Sequence, residues 1–392
     1  MFHFKKSMIV CSIFIALFFF IKCSDDQAVS KDPRGIQFAG SAACMSCHKD
    51  VMNAYMHNSH FNASAQADYN HLSSMVNTAN NTTSFINGQK VVLNSHDTGL
   101  YQTYYRQNQL IQSAKTDIAF GAAVKAQTYA YWKGSQLYQL PLTYLTNEKI
   151  WTNSPGFPID HPYFNRVIPS RCLECHASFV QVKEEREKGL LQIKQVYNPA
   201  SIVYGIDCER CHGPAAQHVK FQQENPGIKE AKFIISIKSL SRQQQVDMCG
   251  TCHSGDPVEV QSIFNFMPGD PLSKYYMLYN GGASGEPDVH GMQLQLLQMS
   301  KCYQKSKMTC MTCHSPHQSQ ETTQAMINQC ISCHQQVTHT IDIKATGNNC
   351  ITCHMPLRPS KSLDFNNETE TNKIQYMLRT HRIAVYAGNA WK

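Results

Sequence analysis

Cys310-Met311-Thr312-Cys313-His314, Cys330-Ile331-Ser332-Cys333-His334 and Cys350-Ile351-Thr352-Cys353-His354 decide how this chain is read. One five-residue pattern returns twice at 20-residue steps. Upstream it occurs four more times, as Cys44, Cys47 and His48, as Cys172, Cys175 and His176, as Cys208, Cys211 and His212, and as Cys249, Cys252 and His253. The seven copies use 14 of the 17 cysteines.

Zinc knuckles, disulfides and thioredoxin-like redox pairs also use Cys-x-x-Cys, but none requires His at the next position. With 18 His in 392 residues, seven such neighbours by accident have odds on the order of one in a billion. The pattern is the attachment signature of a c-type haem: two thiols close thioethers onto the vinyl groups, and the adjacent imidazole becomes the proximal iron ligand. Seven covalently attached haems c are expected, about one per 50 residues, so porphyrin supplies much of the apolar interior. The resulting expectation is a mainly α fold with extensive loops and haems as the core, plus a small antiparallel β-rich insert.

The composition divides the chain into four. A basic start with Lys5 and Lys6 precedes an apolar run from Met8 to Ile21. That run is short of the ~20 residues of a membrane span but suits a secretory signal. Residues 1–22 are read as a lipoprotein-type signal, with Cys23 lipid-modified and Ser24-Asp25-Asp26 resembling the acidic export tag of surface lipoproteins. An ordinary cleaved signal or an uncleaved anchor is the alternative. The expected location is therefore exported, periplasmic or at the outer membrane. Residues 23–61 carry the first motif, and 166–392 the other six.

Residues 62–165 contain no motif and are rich in Tyr, Thr, Gln, Val and Asn. Turn pairs such as Asn87-Gly88 and Lys133-Gly134 separate short aromatic runs, and Tyr129–Trp132 with Leu137–Leu140 reads as a hairpin. Its aromatics are assigned to core and cross-strand packing. Further on, helices are expected around Val180–Lys194 (a charged, solvated face), from Ser241 as cap through Met248, over Val289–Ser300, and at Lys373–Arg382. Residues 254–286 read as loop.

Net charge is +7, and removing Lys5, Lys6 and Lys22 leaves +4. That excludes the concentrated basic face of a nucleic-acid binder. Each ferric bis-His haem with two propionates adds about one negative charge, which brings the holoprotein near −3.

Six-coordinate irons need a second ligand. Outside the motifs and His3, ten histidines remain, and the candidates are His60, His161, His218, His290, His317, His339 and His381. Met at a site would raise that haem's potential. No motif ends in Lys, which argues against the lysine-ligated haem of some multihaem nitrite reductases.

Gly40–His48 through Ser59-His60, Cys208–Pro214 with His218, Thr309–His317, and Cys350–Pro356 with His381 resemble segments of the cytochrome c-554 family. The resemblance implies distal-ligand roles for His60, His218 and His317, with closely stacked haems and electron transfer. His290 and His381 follow, then His161 and His339. The β-like insert and the seven motifs depart from the four-haem prototype.

Saturated irons only pass electrons, so the preferred reading is a carrier exchanging electrons with redox proteins, either other cytochromes or a membrane quinol-oxidising complex. A multihaem oxidoreductase acting on a small nitrogen or sulfur compound is the alternative. It needs one five-coordinate haem, for which Cys172–His176 and Cys330–His334 are the sites considered. A scaffold whose haems only build the core is the third reading. Cys302, outside the motifs, is taken as a small buried residue.

Overall fold

The computed structural model describes residues 32–76, 80–96, 99–186, 193–277, 286–318, 322–336, 338–339, 347–366 and 373–386. The signal segment, Cys11 and Cys23 lie outside the described residues, as does the Gly281-Gly282 part of the expected loop.

The protein is not mainly α. Among the described residues helix accounts for 29% and strand for 30%, in several antiparallel sheets. The strands are β1 Ser64–Gln66, β2 Thr82–Phe85, β3 Gln89–His96, β4 Gly99–Arg106, β5 Gln109–Lys115, β6 Ile118–Phe120, β7 Ala126–Lys133, β8 Gln136–Gln139, β9 Leu142–Leu145 and β10 Ile150–Asn153. Then come β11 Ala177–Arg186, β12 Ile193–Tyr204, β13 Val258–Glu259, β14 Tyr276–Met277, β15 Leu357–Asn366 and β16 Lys373–Arg379.

β2 to β5 form a four-stranded sheet in sequence order. A second sheet runs β1-β6-β7-β9-β10, with β8 paired to β7. One core joins the two: Val91, Leu93, Leu100 and Tyr104 from the first sheet pack with Tyr129, Tyr131, Leu142 and Trp151 from the second. Alternation along β3 buries Gln89, Val91 and Leu93 and leaves their neighbours half-buried, the period-2 pattern of a strand with one wet face. The β7–β8 hairpin pairs Trp132 with Leu137 and Lys133 with Gln136, and Gly134 takes the positive φ of 63° that its tight turn needs.

Two stretches expected to be helical are strands, one between the second and third haem motifs and one after the seventh. The segment around Val180–Lys194 is the β11–β12 hairpin. Val180, Val182 and Val196 are β-branched and packed, whereas the charges from Lys183 to Arg186 occupy its exposed end; a charge run is solvated on a strand tip as well as on a helix. Of the expected helix Lys373–Arg382, Lys373–Arg379 is β16, whose Phe365↔Ile374 and Arg358↔Leu378 pairs hold it to β15. Its Ile374, Tyr376 and Leu378 alternate with period 2 rather than 3.6. The helix expected over Val289–Ser300 is shorter, Gln293–Gln298. Residues 254–277 hold two 3-10 turns and the short β13–β14 pair.

The helix at Arg242–His253 follows its cap as expected. The Ser241 hydroxyl accepts from the Gln244 amide, and the Gln244 side chain accepts from the Ser241 amide, closing a capping box.

Candidate haem-binding cavity

Each motif sits on one turn of helix. In the first, the His48 amide donates to the Cys44 carbonyl at 2.9 Å, and the same bond recurs from His314 to Cys310 at 3.0 Å and from His334 to Cys330 at 2.9 Å. Such a turn sends residues i, i+3 and i+4 out on one side, so two thiols and an imidazole share a face. Polar residues just ahead of the motif start these turns: Asp207 accepts from Arg210 N and Asn349 from Thr352 N, each satisfying an amide without a helical partner.

The seven faces converge. All 14 motif cysteines and all seven motif histidines line one cavity of about 4400 Å³, several times the ~300–1,000 Å³ of a site for one drug-sized ligand. Motifs remote in sequence touch inside it. The Cys44 thiol lies against Cys208, Cys175 against Cys252, and Cys249 against Cys310. Cys330 lies near Cys350 and Cys302.

Six of the seven non-motif candidates line the cavity: His60, His218, His290, His317, His339 and His381. His161 does not; its ring bonds Asp160 at 2.8 Å with 45% of the side chain exposed. Four of the six face a motif histidine. His60 and His253 have ring centres 6.1 Å apart, His317 and His212 5.8 Å, His381 and His314 6.2 Å, and His339 and His354 6.3 Å. Two imidazoles on opposite sides of one metal ion, bonded at ~2.0–2.1 Å each, place their ring centres roughly 6.3 Å apart. Every histidine–histidine ring contact among the described residues joins one motif member to one non-motif member.

The outer nitrogens are fixed as metal-binding imidazoles require. Nδ1 of His176 meets the Ala63 carbonyl at 3.2 Å, Nδ1 of His212 the Ile235 carbonyl at 3.0 Å, and Nδ1 of His354 the Ala384 carbonyl at 2.9 Å. His218 does the same with Lys232 at 2.8 Å. A carbonyl only accepts, so Nδ1 carries the proton and the Nε2 lone pair remains for a metal.

Burial favours the neutral imidazoles, whereas the thiols divide: Cys208, Cys252 and Cys310 are each lowered by the motif thiol they touch. Burial, reinforced by His253 and His314, pushes His60 down to about 4. Burial, with His314 and His253 adding, takes His381 to about 4. Burial raises the Cys211 thiol to about 12 and lifts Cys172 as well. Among the described residues no three His, Cys, Asp or Glu side chains converge as a metal cage. Donors spread as paired thiols on one side and facing imidazoles across a gap fit a flat macrocycle, with two thioethers at its edge and iron at its centre.

A clamp that the motif reading overlooked holds the first motif against the third. Arg34 bonds Asp32 at 2.8 Å, Asp207 at 2.6 Å and Glu209 at 3.1 Å. Glu209, inside the third motif and 3% exposed, also accepts from the amides of Ala39, Gly40 and Ala215 at 2.8, 2.9 and 2.8 Å. A buried carboxylate between the two cysteines of Cys208-Glu-Arg-Cys211 was the available signal, since a charge there needs a partner.

The family model described as cytochrome c554 and c-prime matches residues 43–119 and 158–213, intervals that contain the first three motifs and His60. The chain is a multihaem c-type cytochrome resembling that family. It is 26% identical over 168 residues to the multiheme cytochrome MtrA of Shewanella baltica (strain OS185), a match covering 38% of this chain and 46% of that protein. The chain thus spans less than half the length of this curated relative. No solved structure matches it. As a c-type cytochrome it holds haem c covalently, and the unmatched piece between the two intervals, 120–157, contains β7 to β10.

Proposed function

We propose that this cytochrome holds seven haems c, most with an imidazole on each axial face, and transfers electrons through them. The observation that carries the reading is the single cavity lined by all seven motifs, with four motif histidines facing a second histidine at 5.8–6.3 Å. Haem c supplies a one-electron iron couple whose potential follows its axial ligands, hydrogen bonding and burial. The chain's own residues do the rest. The facing imidazoles of His60 and His253, His317 and His212, His381 and His314, and His339 and His354 would hold the haem iron between them and leave it little room for other ligands. Carbonyls at Ala63, Ile235 and Ala384 fix the rings through Nδ1. Thiols of different motifs in contact, such as Cys249 with Cys310, bring the attachment edges close enough for short hops between sites.

Export follows from the covalent attachment, which bacteria carry out beyond the cytoplasm. The basic, apolar amino-terminal stretch supplies the signal, with Cys23 as a lipid anchor to the membrane. The partners proposed are redox proteins: other cytochromes, or a membrane complex that oxidises quinol. Mass spectrometry of the exported protein tests the reading directly. Seven added haems with a predominantly low-spin ferric spectrum support it; bound zinc, or no tetrapyrrole, ends it.

A further inference from the structure

We infer that the two-sheet unit β1–β10 sets the reduction potential of the iron at His176, through a cross-strand pair that grips this histidine at its ring and at its main chain. The inference rests on a haem at Cys172–His176 and not on the count of seven.

His176 closes the helix Ser170–His176 that carries the second motif. The last carbonyls of a helix lack a helical donor, and the sheet supplies one. The Ser64 hydroxyl donates to the His176 carbonyl at 2.6 Å and accepts from the Gly205 amide at 3.1 Å, so both its hydrogen-bonding roles are used. One residue earlier, the Ala63 carbonyl accepts from His176 Nδ1 at 3.2 Å and from the Gly121 amide at 2.8 Å. Ser64 and Phe120 are register partners on β1 and β6. The Phe120 ring meets the His176 imidazole edge-on, with 5.7 Å between centres and 80° between planes. Leu173, inside the motif, is fully buried in the same core as Ile118 and Phe120.

Other motif histidines are held differently. His212 and His354 each lean on one loop carbonyl, and their ring contacts are to imidazoles. Phe120 precedes Gly121, whose amide shares the Ala63 carbonyl, so the phenyl ring stands on the Nδ1 side of His176 and not at Nε2, the nitrogen left for iron. It also lies just past the matched interval 43–119, in a part of the chain that the family model does not describe. Three levers on an iron couple meet here: ligand basicity through the Nδ1 bond, the plane of the imidazole, and dryness around it. Phe120 is 6% exposed and keeps water from that bond. Ferric iron carries one more positive charge than ferrous, so an apolar shield disfavours it and raises the potential. Phe120 is thus a positioning residue that acts through His176.

The test is a potentiometric titration of the full exported holoprotein, with EPR of its ferric state. Phe120→Ala should shift one haem about tenfold toward the ferric form, a potential lower by about 59 mV for one electron. It should also displace one low-spin EPR component and leave the others unchanged. Phe120→Leu keeps the shield and loses the aromatic edge, so the potential should return while the EPR displacement remains. If Phe120→Ala only lowers the thermal midpoint, with every potential and EPR component as in the wild type, Phe120 merely fills space and the inference falls. In Cys172→Ser/Cys175→Ser the component that Phe120→Ala displaces should be the one missing; a displacement that persists in that background overturns the assignment to His176. Should Phe120→Ala not mature, Phe120→Leu decides by EPR alone, and an unmoved spectrum overturns the inference. No haem on the peptide holding Cys172 and Cys175 overturns it too, whereas fewer than seven haems elsewhere overturn only the count proposed above.

Discussion

Removing the Glu209 carboxylate gives the sharpest test of how the amino-terminal segment is tied to the haem cavity. Its Oε1 accepts from the amides of Ala39 and Ala215, and its Oε2 from the amide of Gly40 and the Arg34 guanidinium. Glu209→Gln keeps one oxygen and so two of these bonds. It turns an NH2 group toward two donors, the Gly40 amide and Arg34. One buried amide left unsatisfied costs about 1–3 kcal/mol, and a lost hydrogen bond to a charged group about 1.5–3 kcal/mol. Together these come to about 3–5 kcal/mol, in line with breaking a buried pair by removing one partner. Arg34 retains Asp32 and Asp207, so the loss is local. Amide hydrogen exchange on the holoprotein reads it: at 1.4 kcal/mol per decade, residues 39 and 40 should exchange about a hundredfold faster or more, while the β3 and β4 amides stay as slow as before. Unchanged protection at 39 and 40 would refute the clamp.

Other outcomes follow from the same contacts. Burial alone would raise the Asp32 carboxyl, but its bonds to Arg34 outweigh this and hold it below its ordinary value. Its stabilisation should therefore be complete above the unfolded value of about 3.9 and fade only as pH falls below it. Exchange at residues 34–40 should be insensitive to this group from pH 7 down to about 4, and earlier loss contradicts the ion pair. His381→Ala should turn one low-spin haem high-spin, with Soret and EPR changes equal to one iron; an unaltered spectrum would remove His381 from the ligands. Gly205 has a φ of 62°, and a Cβ there would run into the Phe61 carbonyl. Gly205→Ala should cost more than about 2 kcal/mol by left-handed strain plus that overlap, seen as a lower thermal midpoint, and a neutral result would contradict the contact.

The haem motifs were legible because five residues encode a complete local device: one turn, two thiols, one imidazole. The cap at Ser241 and the Lys133-Gly134 hairpin were equally local. The fold class is not local in this way: haem density does not dictate helices, and the β11–β12 hairpin stands between the second and third motifs while β15–β16 follows the seventh. Both hairpins carry their period-2 signal in short β-branched or aromatic runs, and the charges at Lys183–Arg186 masked the first. His161 follows an aspartate in sequence and is held by it at the surface, a local bond that no ligand count reveals. Nor was the Arg34–Asp207–Glu209 cluster readable, since its members stand about 170 residues apart and only the folded chain joins them.

The facing histidine pairs bear on how this molecule is made. His60 meets His253, His212 meets His317, and His314 meets His381, so three of the seven motif histidines face a partner from a segment made long before or long after them. Those three sites close only when both of their segments are present, whereas His354 and His339 pair locally. Truncation before His381 should therefore impair the site of His314 far upstream while sparing the His60–His253 and His212–His317 pairs.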